Sequence, residues 1–168
     1  MRADNLQPMT LTPKRASESH TEMVQVVLPN DTNPLGFILG GTVMHLIDIA
    51  GAIACHRHTR SLLVTAAVDD LQFLHPIKVG DLIILKSHVT CTFTTSLEVQ
   101  VDVYSEETLT GRRLLTSRAF LTFVAIARDG NPVPVTPLLV ETEQEQRVCE
   151  QAHARRAERL RKKHAPES

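Results

Sequence analysis

GTVMHLIDIAGAIAC, residues 41–55, is apolar on almost every helical face, the pattern of a helix buried on all sides. Between residues 32 and 56 the only side chain with a formal charge at pH 7 is Asp48. A membrane span needs about 20 apolar residues; this run is shorter and carries a carboxylate near its middle, so it predicts a core helix. Gly40-Gly41 marks the start, and His56, Arg57, His58 and Arg60 cluster at the end, where cations complement the helix dipole.

The rest of the chain supplies the cover for that helix. Residues 23–28 have strand composition and run into Pro29 and the loop Asn30-Asp31-Thr32-Asn33-Pro34. Strand-like runs follow at residues 62–73, 82–93, 97–104 and 114–127, separated by turn signals at His75-Pro76, Gly80-Asp81 and Gly111. Short connections imply antiparallel neighbours. Leu97, Val99, Val101 and Val103 alternate with Glu98, Gln100, Asp102 and Tyr104, which places one face on a core and the other in a more polar setting. The last run is apolar on both faces, which predicts an interior strand, and Asp129-Gly130-Asn131-Pro132 stops it. The fold class is therefore α+β, an antiparallel sheet covering one long apolar helix.

Three segments follow: a polar leader over residues 1–20, expected to be flexible; one domain over 21–140; and a charged helical tail over 141–168. In the tail Glu141, Glu143, Glu145 and Glu150 come early, and Arg155, Arg156, Arg159, Arg161, Lys162 and Lys163 come late, an order that suits the macrodipole. It reads either as a solvated surface helix or as a basic tail gripping a phosphate or a neighbouring subunit.

Composition narrows the function. With 168 residues, one domain carries everything; 42% hydrophobic and 22% charged residues exclude disordered and disulfide-scaffold classes. Lys+Arg 18 against Asp+Glu 19 leaves no overall field to recruit nucleic acid. The absence of Trp and a single Tyr leave few platforms on which bases would stack. Cys55, Cys91 and Cys149 are odd in number and lack CxxC spacing, so they are expected to be reduced thiols, and the first twenty residues lack the apolar core of a signal peptide. A cytoplasmic location is the expectation.

Asp48 carries the strongest chemical signal, because a carboxylate in an apolar helix costs several kcal/mol unless it is paired or used. It is either a general base or nucleophile, or a structural carboxylate held by His45 or a backbone group. Free N–H groups at Gly41 can bind a developing oxyanion, although paired glycines also make a plain entry turn. Asn33 reads first as a turn residue. His56-Arg57-His58 lacks partners at ligand spacing, so no metal is expected there, and Cys55 reads as an inert core thiol. Nucleotide-binding, serine-hydrolase and zincin motifs are absent from the sequence.

LPNDTNPLGFILGGTVMHLIDIAGAIACHRH, followed by VTAAVDDLQFLHPIKVGD, TTSLEVQVDVYSE and SRAFLTFVAI, resembles the hotdog-fold acyl-CoA thioesterases of the brain acyl-CoA hydrolase type and their single-domain bacterial relatives, over about residues 20 to 140. The resemblance implies hydrolysis of an acyl-CoA to free CoA and a carboxylic acid, with CoA as part of the substrate and no cofactor. It places catalysis on Asp48, on Asn33 from the opposite protomer of a homodimer, and on the Gly41 amide. A trimer of dimers, a homohexamer, is the implied assembly. The implied CoA contacts are Arg57, His58, Thr95, Ser96 and Arg118. Leu39 stands where many relatives have an aromatic residue and Ile47 where Met is frequent, changes that bear on the acyl pocket. Two alternatives stay open: a non-catalytic acyl-CoA sensor, and a hotdog hydroxyacyl-thioester dehydratase, whose usual His and Glu pair Asn33 and Asp48 do not match.

Overall fold

The computed structural model describes residues 11–163. In chain order these form β1 (Lys14–Arg15), a tight turn (Ala16–Ser19), β2 (Thr21–Val26), a second turn (Pro29–Asp31), α1 (Gly40–Thr59), β3 (Leu62–Phe73), β4 (Leu82–Thr92), β5 (Ser96–Glu106), β6 (Arg113–Ile126), β7 (Leu138–Leu139) and α2 (Glu143–Lys163). Five strands make an antiparallel sheet in the order β2-β4-β5-β6-β3. β1 and β7 pair in parallel. The interior placement expected for the last long strand holds, since β6 lies between β5 and β3.

The inner face of the sheet wraps α1. Leu97, Val99, Val101 and Val103 of β5 are wholly buried, as their alternation predicts, and pack in one core with Val43, Leu46, Ile47, Ala50 and Ala54 of α1. Removing each large side chain from water contributes about 1.5–3 kcal/mol. Helix and sheet meet most closely at Gly51, where a Cβ would lie 3.2 Å from both Phe123 and Val99. α1 ends at Arg60, whose left-handed backbone (φ 54°) lets its N–H reach the His56 carbonyl at 2.9 Å.

The outer face carries α2. Arg155 donates two hydrogen bonds to Glu98 (2.9 and 2.8 Å) while its guanidinium lies 3.8 Å from the centre of the Phe120 ring. Arg159 forks onto Asp69 of β3. Ala152 is fully buried beneath the helix. The tail is a surface helix, as one of the two readings has it, with most of its residues exposed; on its inward face Arg155 and Arg159 are spent on carboxylates of the sheet.

Two further expectations change. Cys91 and Cys149 are joined in a disulfide across 58 residues, leaving Cys55 as the free thiol; α2 lies against β4 and brings together two cysteines whose sequence spacing shows no relation. Order also begins before residue 21. Ser19 is buried and its Oγ accepts a hydrogen bond from the Val89 N–H at 2.9 Å, while Lys14 Nζ donates to the His58 carbonyl at 3.0 Å. Residues 1–10 of the expected leader, and the last five of the tail, lie outside the described residues. Among the described residues no helix is long and apolar enough to cross a membrane.

Candidate active site

The loop before α1 is built around Asn33. Its Oδ1 accepts hydrogen bonds from the N–H groups of Leu35 (3.0 Å) and Phe37 (3.2 Å), its own N–H donates to the Phe37 carbonyl (2.8 Å), and its carbonyl accepts from Gly36 (2.9 Å). Gly36 takes φ 78°, which only glycine adopts without cost. The turn expected at Asn33 is thus present, and it consumes the amide oxygen. The Nδ2 donors have no partner among the described residues.

Leu39 anchors the loop to the helix by donating its N–H to the Asp31 carbonyl at 2.8 Å. Asn33 then lines a cavity of about 330 Å³ together with Phe37, Gly40, Val43, Phe73 and His75. The walls are largely apolar, and the amino end of α1 opens into it. Val43 is the first residue of the helix start to donate back, to Leu39. The Gly41 N–H has no partner among the described residues, and a Cβ at Gly41 would meet nothing within 4 Å. A positive helix end with free donors and open space can hold a carbonyl oxygen as it gains charge.

Asp48 lies seven residues further on, which on a helix is the same face as Gly41 and about 10 Å along the axis. That face corrects the all-round burial expected from the sequence: Gly41, Met44 and His45 are exposed and Asp48 is half-buried. The Asp48 partner is also not His45. Thr65 of β3 donates its hydroxyl to Asp48 Oδ1 at 2.7 Å, beside a bulge that shifts the β3–β6 register between Thr65 and Ala67. Oδ2 has no protein partner among the described residues. Sequence periodicity missed Thr65, since it meets Asp48 only when β3 returns along α1. Within one chain Asp48 does not line the Asn33 cavity, and no hydrogen bond joins the two.

The implied CoA contacts scatter. His58 is fully buried with Nε2 3.0 Å from the Thr136 carbonyl, and burial holds its pKa below the ordinary imidazole value; it offers CoA no surface in this chain. Arg57 donates to the His20 carbonyl (2.5 Å) and to Thr21 Oγ1 (3.1 Å), tying α1 to the start of β2. Arg118 is exposed on the outer face and forks onto Asp102 (2.6 and 3.0 Å). Thr95 and Ser96 sit where β4 turns into β5. Cys55 is the inert thiol expected: it is fully buried, and burial pushes its pKa far up.

Comparison with known proteins gives this geometry a context. Residues 35–112 match the profile of the thioesterase superfamily. A Bacillus subtilis protein named as an uncharacterized acyl-CoA thioester hydrolase is 42% identical over 149 residues, 88% of this chain and 87% of its own. Among solved structures, an apo-hexameric acyl-CoA thioesterase superposes with a TM-score of 0.86 at 40% identity, covering 92% of this chain and 99% of that one. An acyl-CoA hydrolase from Staphylococcus aureus, solved with butyryl coenzyme A, coenzyme A and coenzyme A disulfide, superposes with a TM-score of 0.82 at 33% identity over 89% of this chain and 92% of that one. The same hydrolase has been solved with an asparagine, an aspartate and a threonine each replaced by alanine.

Proposed function

The chain belongs to the hotdog-fold acyl-CoA thioester hydrolases of the thioesterase superfamily, and we propose that Asp48 is the residue at which it cleaves its substrate. The observation that carries this reading is the split environment of the carboxylate: one oxygen is fixed by Thr65 and the other is free, on the open face of α1 that begins at the unpaired Gly41 N–H. Spacing adds support. The three positions replaced in the Staphylococcus aureus hydrolase lie fifteen and seventeen residues apart, and Asn33, Asp48 and Thr65 repeat that order and spacing.

The thioester carbonyl rests against the Gly41 amide, which stabilises the oxygen as it becomes negative. Asp48 either takes a proton from water, which attacks the carbonyl carbon, or attacks that carbon itself; the C–S bond then breaks and the sulfur leaves as the CoA thiol. Thr65 holds Asp48 in place. Asn33, with its oxygen spent on the loop and its Nδ2 donors free, orients the substrate or water. No cofactor enters, since CoA arrives with the substrate. Thr95, Ser96, Arg57 and Arg118 stay in the proposal as CoA contacts at the rim, and His58 leaves it. A cytoplasmic location belongs to the same reading.

Asn33 reaches Asp48 from a second copy. β3 is the edge of the five-stranded sheet and leaves Leu62, Val64, Val68 and Phe73 about half exposed, with Met44 of α1 beside them at 46%. A long apolar edge of this kind calls for a partner strand, and a two-fold dimer joined there covers the open face of α1. The hexameric relative supports a trimer of such dimers.

Free-CoA release from a panel of short to long acyl-CoAs tests this. Asp48→Asn, nearly isosteric, is expected to lose at least about a hundredfold in rate; unchanged release moves the chemistry to another residue, and binding without release in the parent makes the chain a sensor. Mixing Asn33→Ala with Asp48→Ala chains restores one intact site per mixed dimer, and no rescue in demonstrated mixed dimers sinks the shared site.

A further inference from the structure

A second cluster of reactive side chains lies on the opposite side of the sheet. Cys91 is 1% exposed near the end of β4, at the bulge where the β4–β5 pairing shifts between Val89 and Cys91. Cys149 and His153 stand four residues apart on α2, so one helical turn sets them on the same face. The two sulfurs and a ring nitrogen of His153 all lie within 4.8 Å of one another. The imidazole is held edge-on to Phe93, with ring centroids 5.1 Å apart and planes at 84°.

A disulfide uses two of these three donors and has no task for the third. Two thiolates and an imidazole, brought from a strand and one helical turn, are instead a donor set that suits zinc(II), which takes sulfur at about 2.3 Å and nitrogen at about 2.0 Å in a tetrahedron. The exposed side of His153 leaves the fourth position to water. We propose that the reduced chain binds one zinc ion through Cys91, Cys149 and His153, and that the disulfide is the oxidised, metal-free form of the same site.

The balance closes with a thiol reductant. Two thiols deliver two electrons and two protons to the Cys91–Cys149 bond and leave as their own disulfide; zinc then displaces both protons from the cysteines and takes the lone pair of a bare imidazole nitrogen. In either form α2 is fastened to β4.

The test uses the full chain, reduced with a phosphine and kept free of oxygen, with cobalt(II) as the probe. The proposal expects a thiolate-to-cobalt charge-transfer band that saturates at one ion per chain and is bleached by one equivalent of zinc. Cys149→Ser removes the band. His153→Gln, at an exposed position, weakens zinc at least tenfold, while air still forms the disulfide. A reduced parent without the band, or a His153→Gln variant that holds zinc as tightly as the parent, overturns the site and leaves a plain disulfide; neither result touches the role of Asp48.

Discussion

The two helices pack on opposite faces of one sheet and are held by opposite physics. α1 has no charge on its sheet-facing side and is fixed by apolar burial against β4, β5 and β6, so close that a methyl group at Gly51 would press on Phe123 and Val99 at 3.2 Å. α2 buries one alanine fully and is fixed by Arg155 on Glu98, Arg159 on Asp69 and the bond from Cys149 to Cys91. Burial without direction lets α1 leave one face open for chemistry while the other face carries its stability. Directional pairs make α2 a clasp whose position depends on a few atoms.

The largest break in this contrast is expected at Phe123, 2% exposed and packed on α1 at Gly51. Phe123→Ala should cost about 3–5 kcal/mol, the transfer of the ring plus the cavity it leaves, read as a drop in the urea midpoint at unchanged slope. Arg155→Met attacks the other side. It strands Glu98, 1% exposed, whose remaining side-chain partner is Thr90 at 2.8 Å, and should cost about 2–3 kcal/mol. Adding Glu98→Gln to Arg155→Met should recover most of that loss, because the cost is the unpaired charge. If the double variant is no more stable than the single one, α2 is held by packing after all, and the contrast between the helices fails.

What the sequence disclosed follows the same division. Alternation in β5 identified Leu97, Val99, Val101 and Val103, and all four are fully buried, because period-two patterning records which face meets a core. A lone carboxylate in an apolar run singled out Asp48 as the candidate. The open setting of that carboxylate was not legible, since Gly41, Met44, His45 and Asp48 lie on a face that this sheet touches only at its β3 edge, through Thr65, and apolar residues there look like core residues. Directional contacts were hidden for a different reason. Thr65 on Asp48, Arg159 on Asp69, Cys149 on Cys91 and Thr136 on His58 join residues 17 to 90 positions apart, and no local pattern reports them. The contacts that Arg57 and His58 make inside the chain, with His20, Thr21 and Thr136, were equally out of reach of the sequence.

His58 gives the smaller test, where the packed side of α1 carries an imidazole. Its Nε2–H donates to the Thr136 carbonyl while Nδ1 is buried without a partner, an arrangement that suits the neutral ring and penalises a second proton. Burial lowers its pKa from 6.5, with the Thr136 carbonyl pulling the other way. The unfolded chain thus takes up a proton near pH 6.5 that the folded chain refuses, so the unfolded state binds more protons. Stability from this group is complete above about pH 6.5 and is lost as the pH falls through that value toward the lowered folded one. His88, lowered by burial and by His20 beside it, slopes the same way. His58→Gln keeps a donor for Thr136 and cannot titrate, so its stability between pH 7 and 5 should fall less steeply than the parent's while His88 still contributes. Equal slopes in the two proteins would mean that the end of α1 opens to water before it unfolds, and that the apolar grip on this helix stops short of its last turn.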